Sequence, residues 1–203
     1  MKVKGNDGGD FQRPEPGTYL ARCIKVIDLG TQTNEYQGKT SSRRQVVIMR
    51  ELPTELIPEG DSAGQPFVVS KFYTASLNEK ANLRHDLVNW RGREFTIAEL
   101  DGFELGNILG VPCLVTYTDT ENGKRKVTGV TAPPKGTTVP KQVNPSVMFS
   151  LEPEEFDPSI YEGLSDWFKE TIAQSPEFEK ATKGVPTEDF RDIEAGEDDI
   201  PFE

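Results

Sequence analysis

Phe67-Val68-Val69-Ser70-Lys71-Phe72-Tyr73-Thr74 runs, after Ala75, into Ser76-Leu77-Asn78-Glu79-Lys80-Ala81-Asn82-Leu83, and between the two the apolar period changes. The first stretch is β-branched and aromatic with no helical stripe, and predicts a strand. The second opens on Ser76 with Glu79 three residues later, the spacing of a capping box, after which Leu77, Ala81, Leu83, Leu87, Val88 and Trp90 share one helical face. A helix over residues 77–89 is predicted, with Trp90 in the core. What stands on either side of this junction sets the fold class.

Upstream, Thr18 to Leu29 reads as one long strand, with Asp28-Leu29-Gly30 as a kink or bulge; Arg43 to Leu52 reads as a second. Between them Thr31 to Ser42 is polar and is expected to be a flexible hairpin loop carrying Tyr36 and Lys39. Downstream, Thr96 with Glu99 marks a second capping box, for one turn over Ile97 to Leu100. Val111 to Thr118 and Lys126 to Thr131 then read as two strands around Asn122-Gly123, a hairpin signal. Three strands, a helix and two strands, with no parallel crossover, fit a mainly β chain: a five-stranded Greek-key barrel of the OB type with the helix between strands 3 and 4. The order leaves other small β-barrels open.

The expected domain plan is an irregular lead-in over 1–16, the barrel over 17–135, an extension over 136–183 and a disordered acidic tail over 184–203. In the extension, Ser165 to Ile172 predicts a short helix whose Trp167, Phe168 and Ile172 need a surface to dock on, and Ser175-Pro176-Glu177 is expected to start one further turn. Residues 1–150 carry 19 Lys+Arg against 17 Asp+Glu, and residues 151–203 carry 4 against 17, so the formal charge of −11 sits in the C-terminal quarter. Cys23 and Cys113 lie in strand-like runs and are expected to be reduced core thiols. No run approaches a membrane span and the N-terminus lacks an apolar signal core, which points to a cytoplasmic protein.

Sequence-tolerant binding of single strands needs cations along a groove and aromatic faces for bases. The candidate cations are Lys25, Lys39, Arg43, Arg44, Arg50 and Lys71 in the first half, and Arg91, Arg93, Lys124, Arg125 and Lys126 in the second. Tyr36, Tyr73 and Tyr117 are the candidate stacking rings, each weighed against simple packing. On the third strand Lys71 and Tyr73 are assigned to the wet face and Phe72 to the core. Enzyme chemistry finds no foothold in the motifs. His85 is the one histidine and has no Cys or His at ligand spacing; there is no Gly-x-Ser-x-Gly turn and no phosphate-cradling loop, so no cofactor or metal is expected.

Gly17-Thr18-Tyr19-Leu20-Ala21-Arg22-Cys23, Ser76 to Leu83 and Trp90-Arg91-Gly92-Arg93-Glu94-Phe95 resemble a phage-encoded family of OB-fold single-stranded DNA-binding proteins, over about residues 11–180. The tail Asp198-Asp199-Ile200-Pro201-Phe202 resembles the acidic C-terminus of bacterial single-stranded DNA-binding proteins, although Glu203 follows the Phe. The resemblance implies a protein that protects single-stranded DNA in phage replication, recombination and repair inside the infected bacterial cell. It also implies that the tail recruits replication or recombination proteins and competes with DNA for the groove. The alternative is a protein-interaction or DNA-mimic module acting through that tail.

Overall fold

In the computed structural model, which describes residues 12–183 other than Gln37 and Asn122, strands β1 (Gly17–Tyr36) and β2 (Lys39–Leu56) form one long antiparallel hairpin. Pairing continues to Tyr36 opposite Lys39, and Gly38 holds a positive φ of 72° at the turn. The expected loop over 31–42 is therefore strand. Its polarity reflects solvent on both faces rather than loss of pairing, and Thr33 and Ser42 join hydroxyls across the ladder at 2.8 Å. The irregularity expected at Asp28–Gly30 is present as a register shift, with a second between Cys23 and Lys25.

Strands β3 (Pro66–Thr74), β4 (Pro112–Asp119) and β5 (Arg125–Thr131) complete an antiparallel path of order β3-β2-β1-β4-β5, and β6 (Val147–Phe149) lies parallel beside β1. The fold is mainly β with a few helices. Helix α1 (Asn82–Arg91) follows β3 but starts five residues later than the capping-box spacing suggests. Ser76 Oγ accepts from the Asn78 amide at 3.2 Å, a local turn that competes with a helix start, so residues 76–81 stay outside the helix. Helix α2 (Ile97–Asp101) does carry both halves of its capping box, between Thr96 and Glu99.

Two cores lie on opposite faces of the β1–β2 pair. Cys23, Val26, Val46, Ile48, Tyr73 and Val115 pack with Leu87 and Trp90 of α1, and the Trp90 indole donates to the Pro112 carbonyl at 2.8 Å. Ile27, Leu29 and Val47 face the other way, beneath β6 and the helices α3 (Pro158–Glu162), α4 (Asp166–Ala173) and α5 (Pro176–Thr182), where Phe149, Tyr161 and Ile172 are buried. The extension thus holds a strand and three helices rather than one short helix and a further turn. Of its predicted docking residues, Ile172 is buried and Phe168 partly so, but Trp167 remains 53% exposed. The further turn expected at Ser175 is α5, capped by Ser175 Oγ.

Buried polar groups bind the extension to the sheet. Glu51, wholly buried, accepts from the Val143 amide at 2.7 Å, the Asn144 amide at 2.9 Å and Asn144 Nδ2 at 2.8 Å. Asp28 takes the Arg44 guanidinium, which also reaches Glu152 at 2.6 Å. Glu177 accepts from the Thr31 amide and hydroxyl at 2.8 and 2.7 Å. Cys23 and Cys113 are free and buried as expected; burial pushes their thiols up to about 12 and about 11. The lead-in up to Phe11 and the tail from Gly184 lie outside the described residues.

Candidate nucleic-acid interface

The register of β3 decides which side chains meet solvent, and it reverses the sequence-based assignment. Tyr73 is 3% exposed and Phe72 is 47% exposed. The reason lies in α1, where Asp86 is buried against β3. The Tyr73 hydroxyl donates to Asp86 Oδ2 at 2.8 Å, so its polar end is satisfied inside the core. Lys71 Nζ reaches the same oxygen at 2.6 Å and sits 5.3 Å from the Tyr73 ring centroid. With residues 71 and 73 claimed by Asp86, the strand's alternation turns Phe72 outward beside Ser70 and Thr74.

Phe72 stands between two clefts. One, of about 520 Å³, is lined by Arg43 and Gln45 of β2, Thr74 of β3, and Asn78, Lys80 and Asn82 of the turn entering α1. The other, of about 410 Å³, lies where the edges of β3 and β5 face one another, between Ser70 and Lys71 on one side and Lys126 and Thr128 on the other. Phe72 and Asn82 line both. Across from Phe72, the Trp167 ring of α4 approaches to a centroid separation of 5.8 Å at an interplanar angle of 82°. Among the described residues Arg43, Lys80 and Lys126 are exposed and form no ion pair. The surface therefore offers a half-exposed ring, charge to either side and room for a planar ligand.

Several predicted site residues have other roles. Arg50 is buried, its guanidinium 5.1 Å from the Trp90 ring centroid and near the Ile48 carbonyl and the Tyr73 hydroxyl, so it cannot reach a surface ligand. Tyr73 and Tyr117 are likewise core residues and not stacking faces. Arg44 belongs to the Asp28–Glu152 network. Arg91 pairs with Glu99 and lies over Phe95 and Phe103, at 4.4 and 5.0 Å from their centroids. Arg93 binds the same carboxylate at 2.8 and 3.0 Å; that bond, then the Thr96 amide and Arg91, hold Glu99 down to about 2. Arg125 is tied to Asp119 and Glu15, both at 3.0 Å.

Lys25 is half-buried on β1 opposite Met49 and Val147, and Lys124 is exposed in the β4–β5 connection. Tyr36 and Lys39 flank the β1–β2 turn, where only their backbone is described. The predicted partner segment Asp198, Asp199, Ile200, Pro201 and Phe202 lies outside the described residues. Sequence reasoning missed Phe72, Trp167 and Lys80. The last was hidden by the expected helix over 77–89, and the signal for the first was Asp86, positioned to satisfy Tyr73 from within.

Among the described residues no cluster of His, Cys, Asp or Glu could hold a metal ion, and no helix is long and apolar enough to cross a membrane. No family model matches the chain, and no curated protein or solved structure matches it.

Proposed function

We propose that the protein is a non-catalytic, sequence-tolerant binder of single-stranded nucleic acid built on a partly open OB-type barrel. The strand path supports this reading: joining the β3 and β5 edges, which line one cleft, would close the path into a five-stranded barrel. In such barrels the face of strands 2 and 3 and the loops joining strands 1–2 and 4–5 take the oligonucleotide. Arg43 and Phe72 stand on that face here, with Lys124 in the second of those loops.

Within this class we read the chain as a phage-type single-stranded DNA-binding protein that covers exposed strands during replication and recombination. Its acidic terminal segment, with eight acids against Arg191 from Thr187 to Glu203, competes for the groove and recruits partner proteins. The observation that carries the reading is the half-exposed Phe72 ring between clefts bearing Arg43, Lys80 and Lys126. Bases stack on such rings whatever their identity, while the cations neutralise phosphates.

The test is an anisotropy titration of labelled single- and double-stranded oligonucleotides at several salt concentrations, with the full chain and with a chain ending at Lys183. Three unpaired cations give a logarithmic salt slope of about −2 for single strands. Duplex should bind more weakly, and removal of the acidic segment should tighten binding. Absence of single-strand binding by both proteins at low salt would overturn the proposal.

A further inference from the structure

We propose that Trp167 is a second base-stacking residue, so that the helical extension forms one wall of the single-strand site and holds two neighbouring bases at nearly a right angle. This rests on the single-strand reading of the Phe72 surface. Packing alone does not account for Trp167: Ile172 and Phe168 dock α4, while the indole stays 53% exposed. It meets the Phe168 ring of its own helix at 5.2 Å and, from the other element, the one aromatic ring that β3 turns outward, at 5.8 Å and 82°. The helix that carries it is fastened at its C-terminal end, by Gln32 Nε2 donating to the Thr171 carbonyl at 3.0 Å, and α5 directly after it is held by the Glu177 bonds to Thr31. The ring is thus presented by a fixed element, which limits the entropy lost on stacking.

Geometry sets what this pair can accept. Consecutive bases in a helix lie parallel at about 3.4 Å, whereas these two rings are perpendicular, so a strand that stacks on both must break its own stacking between the two bases. A duplex cannot do so without unpairing. A pre-stacked adenine tract must give up more than a thymine tract, whose bases stack weakly. Charge orients the strand: Asp166 lies next to Trp167 and is 94% exposed, paired only loosely with Lys169 at 3.7 Å. The phosphates therefore run on the Arg43 and Lys126 side, and only the base reaches α4.

The protein contains two tryptophans, and Trp90 is buried with its indole N–H bonded, so it is an internal reference for emission. The experiment titrates the full chain, Trp167→Ala, Trp167→Phe and Phe72→Ala with oligo(dT) and oligo(dA), following intrinsic fluorescence and, separately, anisotropy of labelled DNA. In the unmodified protein oligo(dT) should quench the Trp167 emission. Trp167→Ala should lose the quench, weaken oligo(dT) binding about 5- to 150-fold and narrow the dT-over-dA preference. Trp167→Phe should keep most of the affinity. If Trp167→Ala binds oligo(dT) within twofold of the unmodified chain, or if binding leaves the emission of Trp167 unchanged, the inference falls while the single-strand reading stands. If the unmodified chain binds no oligonucleotide, both fall.

Discussion

Phe72 and Tyr73 are adjacent on β3 and face opposite ways, so substituting each in turn separates binding from folding. Phe72→Ala removes a ring that is 47% exposed. Full burial of such a side chain is worth about 1.5–3 kcal/mol, and with half of it already in solvent the loss of stability should be about 1 kcal/mol. Loss of one stacked base costs about 1–3 kcal/mol, which raises the oligonucleotide Kd about 5- to 150-fold. Tyr73→Phe keeps the buried ring and deletes only the hydroxyl that donates to Asp86 at 2.8 Å. A hydrogen bond to a charged group contributes about 1.5–3 kcal/mol, so this change should destabilise by roughly 2 kcal/mol and leave the affinity of the folded protein within about twofold. Urea unfolding followed by circular dichroism and anisotropy titration measure the two quantities on the same samples. The reverse pattern, with Phe72→Ala costing 3 kcal/mol or more at unchanged affinity, would refute the outward placement of Phe72.

Glu51→Gln replaces by a donor one of two carboxylate oxygens that together face three N–H donors; a loss of about 2–4 kcal/mol is expected, with faster amide exchange at Val143 and Asn144. Gly30→Ala should cost more than about 2 kcal/mol, because φ is +68° and the new Cβ would lie 2.4 Å from the Ser175 side chain that caps α5; differential scanning calorimetry and proteolysis of the extension report it. Arg43→Ala with Lys126→Ala should flatten the logarithmic salt slope of oligonucleotide binding by about 1.4, without a change in thermal midpoint beyond a few degrees.

Acid should loosen the extension in a defined direction. Burial pulls Glu177 upward, but the hydrogen bonds from Thr31 outweigh it and leave the carboxyl below its ordinary 4.5. A group depressed on folding stabilises fully above its unfolded value and loses that contribution as pH falls through the folded one. Stability should therefore decline from pH 4.5 downward, with the Glu99 contribution lost progressively between 4.5 and about 2. Glu177→Gln should remove part of the upper step in acid titrations followed by circular dichroism.

The centres of the five main strands and of α1, α2, α4 and α5 were legible from residue type and period, because β-branched runs and the change of period before α1 are local signals; the polar ends of the β1–β2 hairpin, β6 and α3 carry no such signal and were not. The face of β3 was not. Val68 and Phe72 alternate with Phe67, Val69 and Tyr73, so both parities carry apolar side chains and only the partner at Asp86, thirteen residues on, breaks the tie. The cations were miscounted for a similar reason. Arg44, Arg91, Arg93 and Arg125 look free in sequence, but their acidic partners Asp28, Glu99 and Glu15 are supplied by a β-bulge, a helix cap and a distant lead-in. Charge density in the chain thus overstated charge available to a ligand. Trp167 was read as docking with Phe168 and Ile172, yet it stays 53% exposed, and its neighbour, a half-exposed ring on β3, could not be named without the register.

The two-faced burial of β1 and β2 has a consequence for the order of events during synthesis. Ile27, Leu29 and Val47 are made early, while the residues that cover them, from Phe149 to Ala181, emerge more than a hundred residues later. At about 5–20 residues per second, the stretch after β5 takes on the order of 3–10 s to appear. For that interval a nearly complete sheet presents an apolar face with nothing to meet it but another nascent chain or a chaperone. A shortened gene ending after Thr131 would make that interval permanent, and its product should self-associate rather than serve as a minimal binding domain.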